Sequence, residues 1–290
     1  AGTGNVRLTA TSGSGEGILM RSDVKGKDIT VDATANNGTG LGFYGTGGSF
    51  NASGSLNLTG TATGTGNGFY SFGGTHTAQT GINITGTSAN GQGVGFDANA
   101  KLTNAVGDIV IKGTANGTNT QGIGLRGSEI INNGANIKLT AVSGDIFTED
   151  KNSQTLNPLS PNNIYWGLTG PLKNIISNNG TGVVEITSGS IKTDTGAIDG
   201  KVLTINQKGN GGVLVKTTGN GNVIAPKITN AGTGNVVIAA GSLKDAGDGS
   251  GGQVLTSSGS PVTQTSSGKT FIYSGNAAGT GVLSNLDSTL

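Results

Sequence analysis

The chain has 290 residues with 17 basic and 16 acidic side chains, a formal net charge of +1, and only 11% charged and 4% aromatic residues. Glycine supplies 56 positions, and with serine, threonine and asparagine it makes up about half of the chain. That composition excludes a helical or Rossmann-type protein, because these four residue types weaken helix interiors. Five prolines and no strict Gly-X-Y period exclude collagen. Hydrophobic residues at 32%, arranged in regular short runs, argue against simple disorder. An all-β chain of short strands and tight turns remains. Zero cysteines exclude disulfides, cysteine-based zinc sites and thiol chemistry. No apolar run reaches the roughly 20 residues of a membrane-spanning helix. The dispersed charges argue against a nucleic-acid partner. The opening AGTGNVRLTA carries no leader pattern and SNLDSTL no recognisable ending, so the chain reads as a fragment or processed product of a longer protein.

Six segments in the first half share the pattern apolar-x-apolar-x-small: VRLTA from Val6, ITVDA from Ile29, LNLTG from Leu56, INITG from Ile82, IVIKG from Ile109 and IKLTA from Ile137. Between them runs a second motif, G-x-G-apolar, ending at Ile18, Phe43, Phe69, Phe96 and Leu125. A third apolar position follows at Val24, Phe50, Leu102 and Ile130, and is missing in the coil that holds Thr77. Strict alternation places Ile29 and Val31, or Leu56 and Leu58, on one face and the intervening polar residues on the other. A unit of about 27 residues cannot bury such a face alone and must stack on its neighbour.

Three short strands per coil predict a right-handed parallel β-helix of roughly ten coils, a rod about 50 Å long at the usual strand spacing. One interior column is expected through Ile29, Leu56, Ile82, Ile109 and Ile137. A second runs through Leu8, Val31, Leu58, Ile84, Ile111 and Leu139, and a third through Ile18, Phe43, Phe69, Phe96 and Leu125. The column beside that third one, Leu19, Tyr44, Tyr70, Asp97 and Arg126, is expected to face outward. There Tyr44 and Tyr70 form a small amphipathic patch or pack against turns.

The period breaks after Asp150. Residues 151–178 hold three of the five prolines and the only tryptophan, and proline cannot donate to a strand ladder. The segment reads either as a loop projecting from the wall or as a plug in which Tyr165, Trp166 and Leu168 pack over one face. Strands resume at VVEIT, VLTI, VLVKT, NVIAPKI and NVVIA with closer spacing, so 179–290 is expected to continue the solenoid with less regular coils. The chain thus divides into regular coils over 1–150, an excursion over 151–178 and further coils over 179–290 in one domain.

Chemistry finds little footing. The 16 acids are scattered, and only Asp28 and Asp108 share a register position under the repeat. A polysaccharide-degrading β-helix enzyme would need clustered carboxylates. The sole histidine, His76, sits in GGTHTAQ and reads as a solvated turn residue. GDGSGG at 247–252 occurs once, without the tandem spacing of calcium-binding repeats. Glycine-rich GTGLGF and GTGNGF open no helix and so match no phosphate-binding loop. No catalytic, cofactor or metal residues are expected. The candidate exposed binding surface comprises Tyr44, Tyr70, Tyr165 and Trp166. An outward threonine column through Thr9, Thr59, Thr85 and Thr140 is interrupted by Asp32 and Lys112, which speaks against an ice-ordering face.

GNVRLTATS, GDIVIKGTANG and ANIKLTAVSGDI resemble the repeat region of filamentous-haemagglutinin-like exoproteins, the secreted partners of two-partner secretion systems in Gram-negative bacteria. The resemblance implies passage through an outer-membrane transporter partner and folding outside the cell as a β-helix. It implies an extracellular adhesin at the bacterial cell surface whose partners are host cells, glycans, matrix or further copies of itself. The alternative is a structural subunit of an extracellular filament or biofilm matrix.

Overall fold

The computed structural model describes residues 3–117, 120–149, 174–190, 197–243, 251–256 and 261–275. Every regular element among them is a strand, and the 28 strands form three parallel sheets of ten, nine and nine strands. Each coil contributes one strand to each sheet in turn, so the chain is a β-solenoid with three strands per coil. The ten-stranded first sheet opens with Val6–Ser12, Ile29–Ala35, Ser55–Ala62 and Gly81–Ser88 and closes with Thr270–Ser274.

The first sheet follows the expected register. Ile29, Leu56, Ile82, Ile109 and Ile137 pair in succession, as do Leu8, Val31, Leu58, Ile84, Ile111 and Leu139. From the second coil inward these side chains are almost wholly buried. Each such side chain contributes about 1.5–3 kcal/mol through removal from water. The ladder then runs across the break, from Ile137 to Val184 and on through Val213 and Val236 to Thr270.

The second sheet departs from expectation by two residues. Ile18, Phe43 and Phe69 pair as foreseen, but Phe69 stands opposite Val94, and Phe96 stands opposite Ser71. The register is fixed by the preceding glycine rather than by the aromatic ring. A Cβ on Gly42, Gly68 or Gly93 would lie 2.4–2.5 Å from the backbone nitrogen of Thr61, Thr87 or Thr114. At this pinch two walls of the solenoid touch backbone to backbone, so glycine at 42, 68 and 93 is a packing requirement. Phe96 still reaches the aromatic stack: the Phe43 and Phe69 centroids lie 4.9 Å apart, and those of Phe69 and Phe96 5.7 Å apart.

The third sheet holds two features that apolar patterning does not reveal. Its interior column runs Val24, Phe50, His76, Leu102, Ile130, Ile176 and Ile205, so the expected gap at Thr77 is filled by His76. His76 is fully buried, which corrects its reading as a solvated turn residue. At the sheet's end a second buried column carries amides: Asn104, Asn132, Asn178, Gln207, Asn230 and Gln264. Asn132 Nδ2 donates to Asn136 O at 2.8 Å and Gly107 O at 3.1 Å, while its Oδ1 accepts from Gly134 N–H. Asn178 and Asn230 repeat the donation, each to the carbonyl four residues on, at 2.7 Å. The column supplies additional partners to turn carbonyls, and acceptors to turn N–H groups such as that of Gly134.

The strand Asn174–Asn178 belongs to this ladder, opposite Glu129–Asn132. The last residues of the expected 151–178 excursion are therefore part of the wall. The LTI of VLTI opens the third-sheet strand Leu203–Gln207, so the close strand spacing after residue 179 reflects alternation among the three sheets.

Candidate functional site

Tyr44 and Tyr70 lie on the outer face of the second sheet, on the strands Phe43–Thr46 and Phe69–Phe72. They point outward because Phe43, Phe69, Gly45 and Ser71 occupy the buried alternate positions. The two rings tilt at 42° with centroids 5.8 Å apart, and both are half-buried. The expected patch therefore exists on the outer wall, partly shielded by its own neighbours. Tyr165 and Trp166 lie outside the described residues, as does most of the excursion that carries them.

The register places other residues in this column than expected. Beyond Tyr44 and Tyr70 come Gly95, Gly124 and Phe147, while Asp97 and Arg126 pair with each other one outward position further along their strands. Asp97 is 1% exposed, which corrects its placement on an open face. Its Oδ2 accepts a hydrogen bond from Tyr70 Oη at 2.7 Å.

A depression lies on this outer wall. It has a volume of about 400 Å³ and is walled by Asn67, Tyr70, Asn90, Gln92, Gln121 and Arg126. A Cβ on Gly95 would lie 2.6 Å from both Gln92 Oε1 and the Tyr70 ring, and one on Gly124 would lie 2.7 Å from Gln92 Nε2. The side chains lean over the bare backbone and join one another. Arg126 Nη2 donates to Gln121 Oε1 at 3.0 Å and Nη1 to Gln92 Oε1 at 3.3 Å. Gln92 Nε2 donates to Gln121 Oε1, and the Gln92 backbone N–H donates to Asn67 Oδ1 at 2.9 Å. The Arg126 guanidinium also stands 5.8 Å from the Phe147 ring centroid, a cation–π distance. Alignment through Gly93 and Gly122, the counterparts of Gly42 and Gly68, brings Gly95 and Gly124 into line with Tyr70. Alignment on the aromatic residues conceals this.

Among the described residues, the one nucleophile-and-base geometry that resembles a catalytic pair is sealed. Ser71 Oγ lies 2.9 Å from His76 Nε2, and both residues are fully buried. His76 Nδ1 accepts the Phe50 backbone N–H at 3.2 Å, so Nε2 carries the proton and donates to Ser71, whose hydroxyl donates to Gly73 O at 3.0 Å. Burial lowers the imidazole pKa to about 4 and keeps the ring neutral. A substrate has no route to this pair. It is an interior strut that supplies Phe50 N–H with an acceptor.

Five of the described acids serve turns and ion pairs. Asp28 Oδ1 accepts the Ser55 backbone N–H at 2.9 Å and its hydroxyl at 3.1 Å, which holds this carboxyl below its usual pKa. Asp108 accepts the Asn136 backbone N–H at 2.8 Å in the equivalent turn. Asp32, Glu129 and Glu185 pair with Arg7, Lys101 and Lys216 of neighbouring coils. Among the described residues no three His, Cys, Asp or Glu side chains gather to hold a metal ion, and no helix is long and apolar enough to cross a membrane.

No family model matches the chain, and no curated protein or solved structure shows significant similarity to it.

Proposed function

We propose that this chain is a non-catalytic rod displayed outside a bacterial cell, where it serves adhesion or surface display. The observation that carries this reading is the continuous first sheet of ten parallel strands, whose register persists on both sides of the central break. Such a ladder supplies length, stiffness and outward columns repeated coil after coil, features suited to multivalent attachment. The resemblance of GNVRLTATS, GDIVIKGTANG and ANIKLTAVSGDI to filamentous-haemagglutinin-like exoproteins supports secretion through an outer-membrane transporter partner. Stacking of each coil only on its neighbours suits folding coil by coil as a chain emerges. The absence of turnover is part of the proposal. It is supported by the burial of the Ser71–His76 pair and the commitment of Asp28 and Asp108 to turns.

Antibody labelling of intact producing cells, adhesion of the purified chain to host cells and a reducing-end assay on polysaccharides test the reading together. Surface label, adhesion and no released reducing ends are the expected results. Label confined to the cell interior, or released reducing ends, would overturn it. Rods joined end to end into continuous filaments on the cell would favour the matrix-subunit role over attachment.

A further inference from the structure

We propose that the depression between Tyr70 and Arg126 binds a neutral saccharide. The inference deepens the attachment reading and rests on it for its biological sense, while its physical basis is the lining. Asn67, Asn90, Gln92 and Gln121 place four primary amides in the lining, beside Gly91 and the Thr120 hydroxyl. Each amide presents donors and acceptors side by side, and each sugar hydroxyl is both donor and acceptor, so neighbouring hydroxyls can bridge the two ends of one amide. At one end Tyr70 offers a half-buried aromatic face with a polar tip, a combination suited to a ligand with apolar C–H faces and hydroxyl edges. A volume of about 400 Å³ falls in the range of small-ligand clefts.

Charge selects the class of sugar. Arg126 is the only ionised residue in the lining, and Asp97 faces it directly across the ladder. Its guanidinium is already engaged with Gln121 and Gln92. Arg126 stands on the ladder between Asp97 and Glu149, so the register offers no net positive field to an anionic glycan. The lining also lacks the cluster of cations that polyanion recognition requires. The hydroxyls of a neutral oligosaccharide match what remains.

The test titrates the 290-residue chain with cellohexaose, chitohexaose and an N-acetyllactosamine oligomer, with heparin hexasaccharide as the charged arm. Saturation-transfer NMR and calorimetry provide the readouts. At least one neutral oligosaccharide should bind, and Gln92→Ala should weaken it about tenfold, the loss expected from one or two hydrogen bonds. Asn90 is exposed, so Asn90→Ala carries the same expectation with little risk to folding. Thr59→Ala, on the first sheet, should change nothing. Three results would overturn the proposal: no neutral sugar binding up to about 10 mM, binding that both groove variants leave intact, or binding of heparin alone. Cell adhesion separates the two proposals. A chain that adheres equally with Asn90→Ala and Gln92→Ala retains attachment and loses the groove. A chain that binds sugar in solution but adheres to no cell retains the groove and loses attachment.

Discussion

His76 Nδ1 accepts the backbone N–H of Phe50 at 3.2 Å, so an imidazole takes the place of a ladder carbonyl between two coils of the solenoid. The pairing of these two strands is correspondingly short, confined to Asn51 and Thr77. A polar ring is thereby held among the apolar side chains of the core in its neutral form, with both nitrogens satisfied.

This arrangement predicts an acid-sensitive core. The unfolded chain protonates its histidine near the usual 6.5, whereas the folded chain resists until about 4. Between these values the unfolded state binds more protons, so stability is fully present above pH 6.5 and falls as pH drops toward 4. The total loss is roughly 3 kcal/mol. His76→Leu should flatten that window in urea titrations while costing about 1–3 kcal/mol at neutral pH, because Phe50 N–H loses its acceptor. Asp28 acts in a different range. Its folded pKa lies below 3.8, so its contribution is present above that value and disappears only in stronger acid. An unchanged slope between pH 4 and 6.5 in His76→Leu would mean that another group carries the proton uptake.

Phe69 is fully buried between Phe43 and Phe96. Phe69→Ala should leave a cavity and cost about 3–5 kcal/mol. Tyr70→Ala, one residue along and facing outward, should cost clearly less. Equal losses in chemical denaturation would contradict the inside–outside assignment of this strand.

The amide column makes a prediction of a different kind. Asn132→Ala removes the acceptor of Gly134 N–H and one of the donors to each of Asn136 O and Gly107 O, and should cost about 1–3 kcal/mol. Glutamine occupies the same column at 207 and 264, so Asn132→Gln should recover part of that loss. Equal destabilisation by alanine and glutamine would show that size, and not the amide, matters at this position.

Gly68 and Gly4 separate a required glycine from a permissive one. An added Cβ at Gly68 meets Thr87 N, Thr87 O and Gly93 O at 2.4–2.8 Å, all backbone atoms, whereas at Gly4 it meets nothing within 4 Å. Gly68→Ala should destabilise by at least about 2 kcal/mol and Gly4→Ala should be nearly neutral. A thermal melt of each variant decides the point.

Much of the fold was legible from alternation. Ile29, Leu56, Ile82, Ile109 and Ile137 repeat at nearly constant spacing within apolar-x-apolar runs, so sheet register and inward face follow from period alone. The second sheet was misaligned because the conspicuous residue, Phe96, is not the one that sets register; backbone contact at Gly93 does so. His76 and the column from Asn104 to Gln264 escaped notice because hydrophobic patterning assigns polar residues to the outside. In a narrow solenoid the turns also need buried partners. Tyr44 and Tyr70 were identifiable as outward neighbours of Phe43 and Phe69. Gln92, Gln121 and Arg126 come together only once the coils are placed in register.

That register is tested most directly by engineered cysteine pairs in a chain that has no cysteine of its own. Thr59 and Thr85 are ladder partners in adjacent coils, and Lys112 is the partner of Thr85 one coil further on. Adjacent parallel strands lie about 4.8 Å apart, within disulfide reach, and strands two coils apart lie about 9.6 Å apart, beyond it. Under mild oxidation, Thr59→Cys with Thr85→Cys should form an intramolecular disulfide, and Thr59→Cys with Lys112→Cys should not. Efficient cross-linking of the second pair without the first would contradict the stacked parallel coils on which every column described above depends.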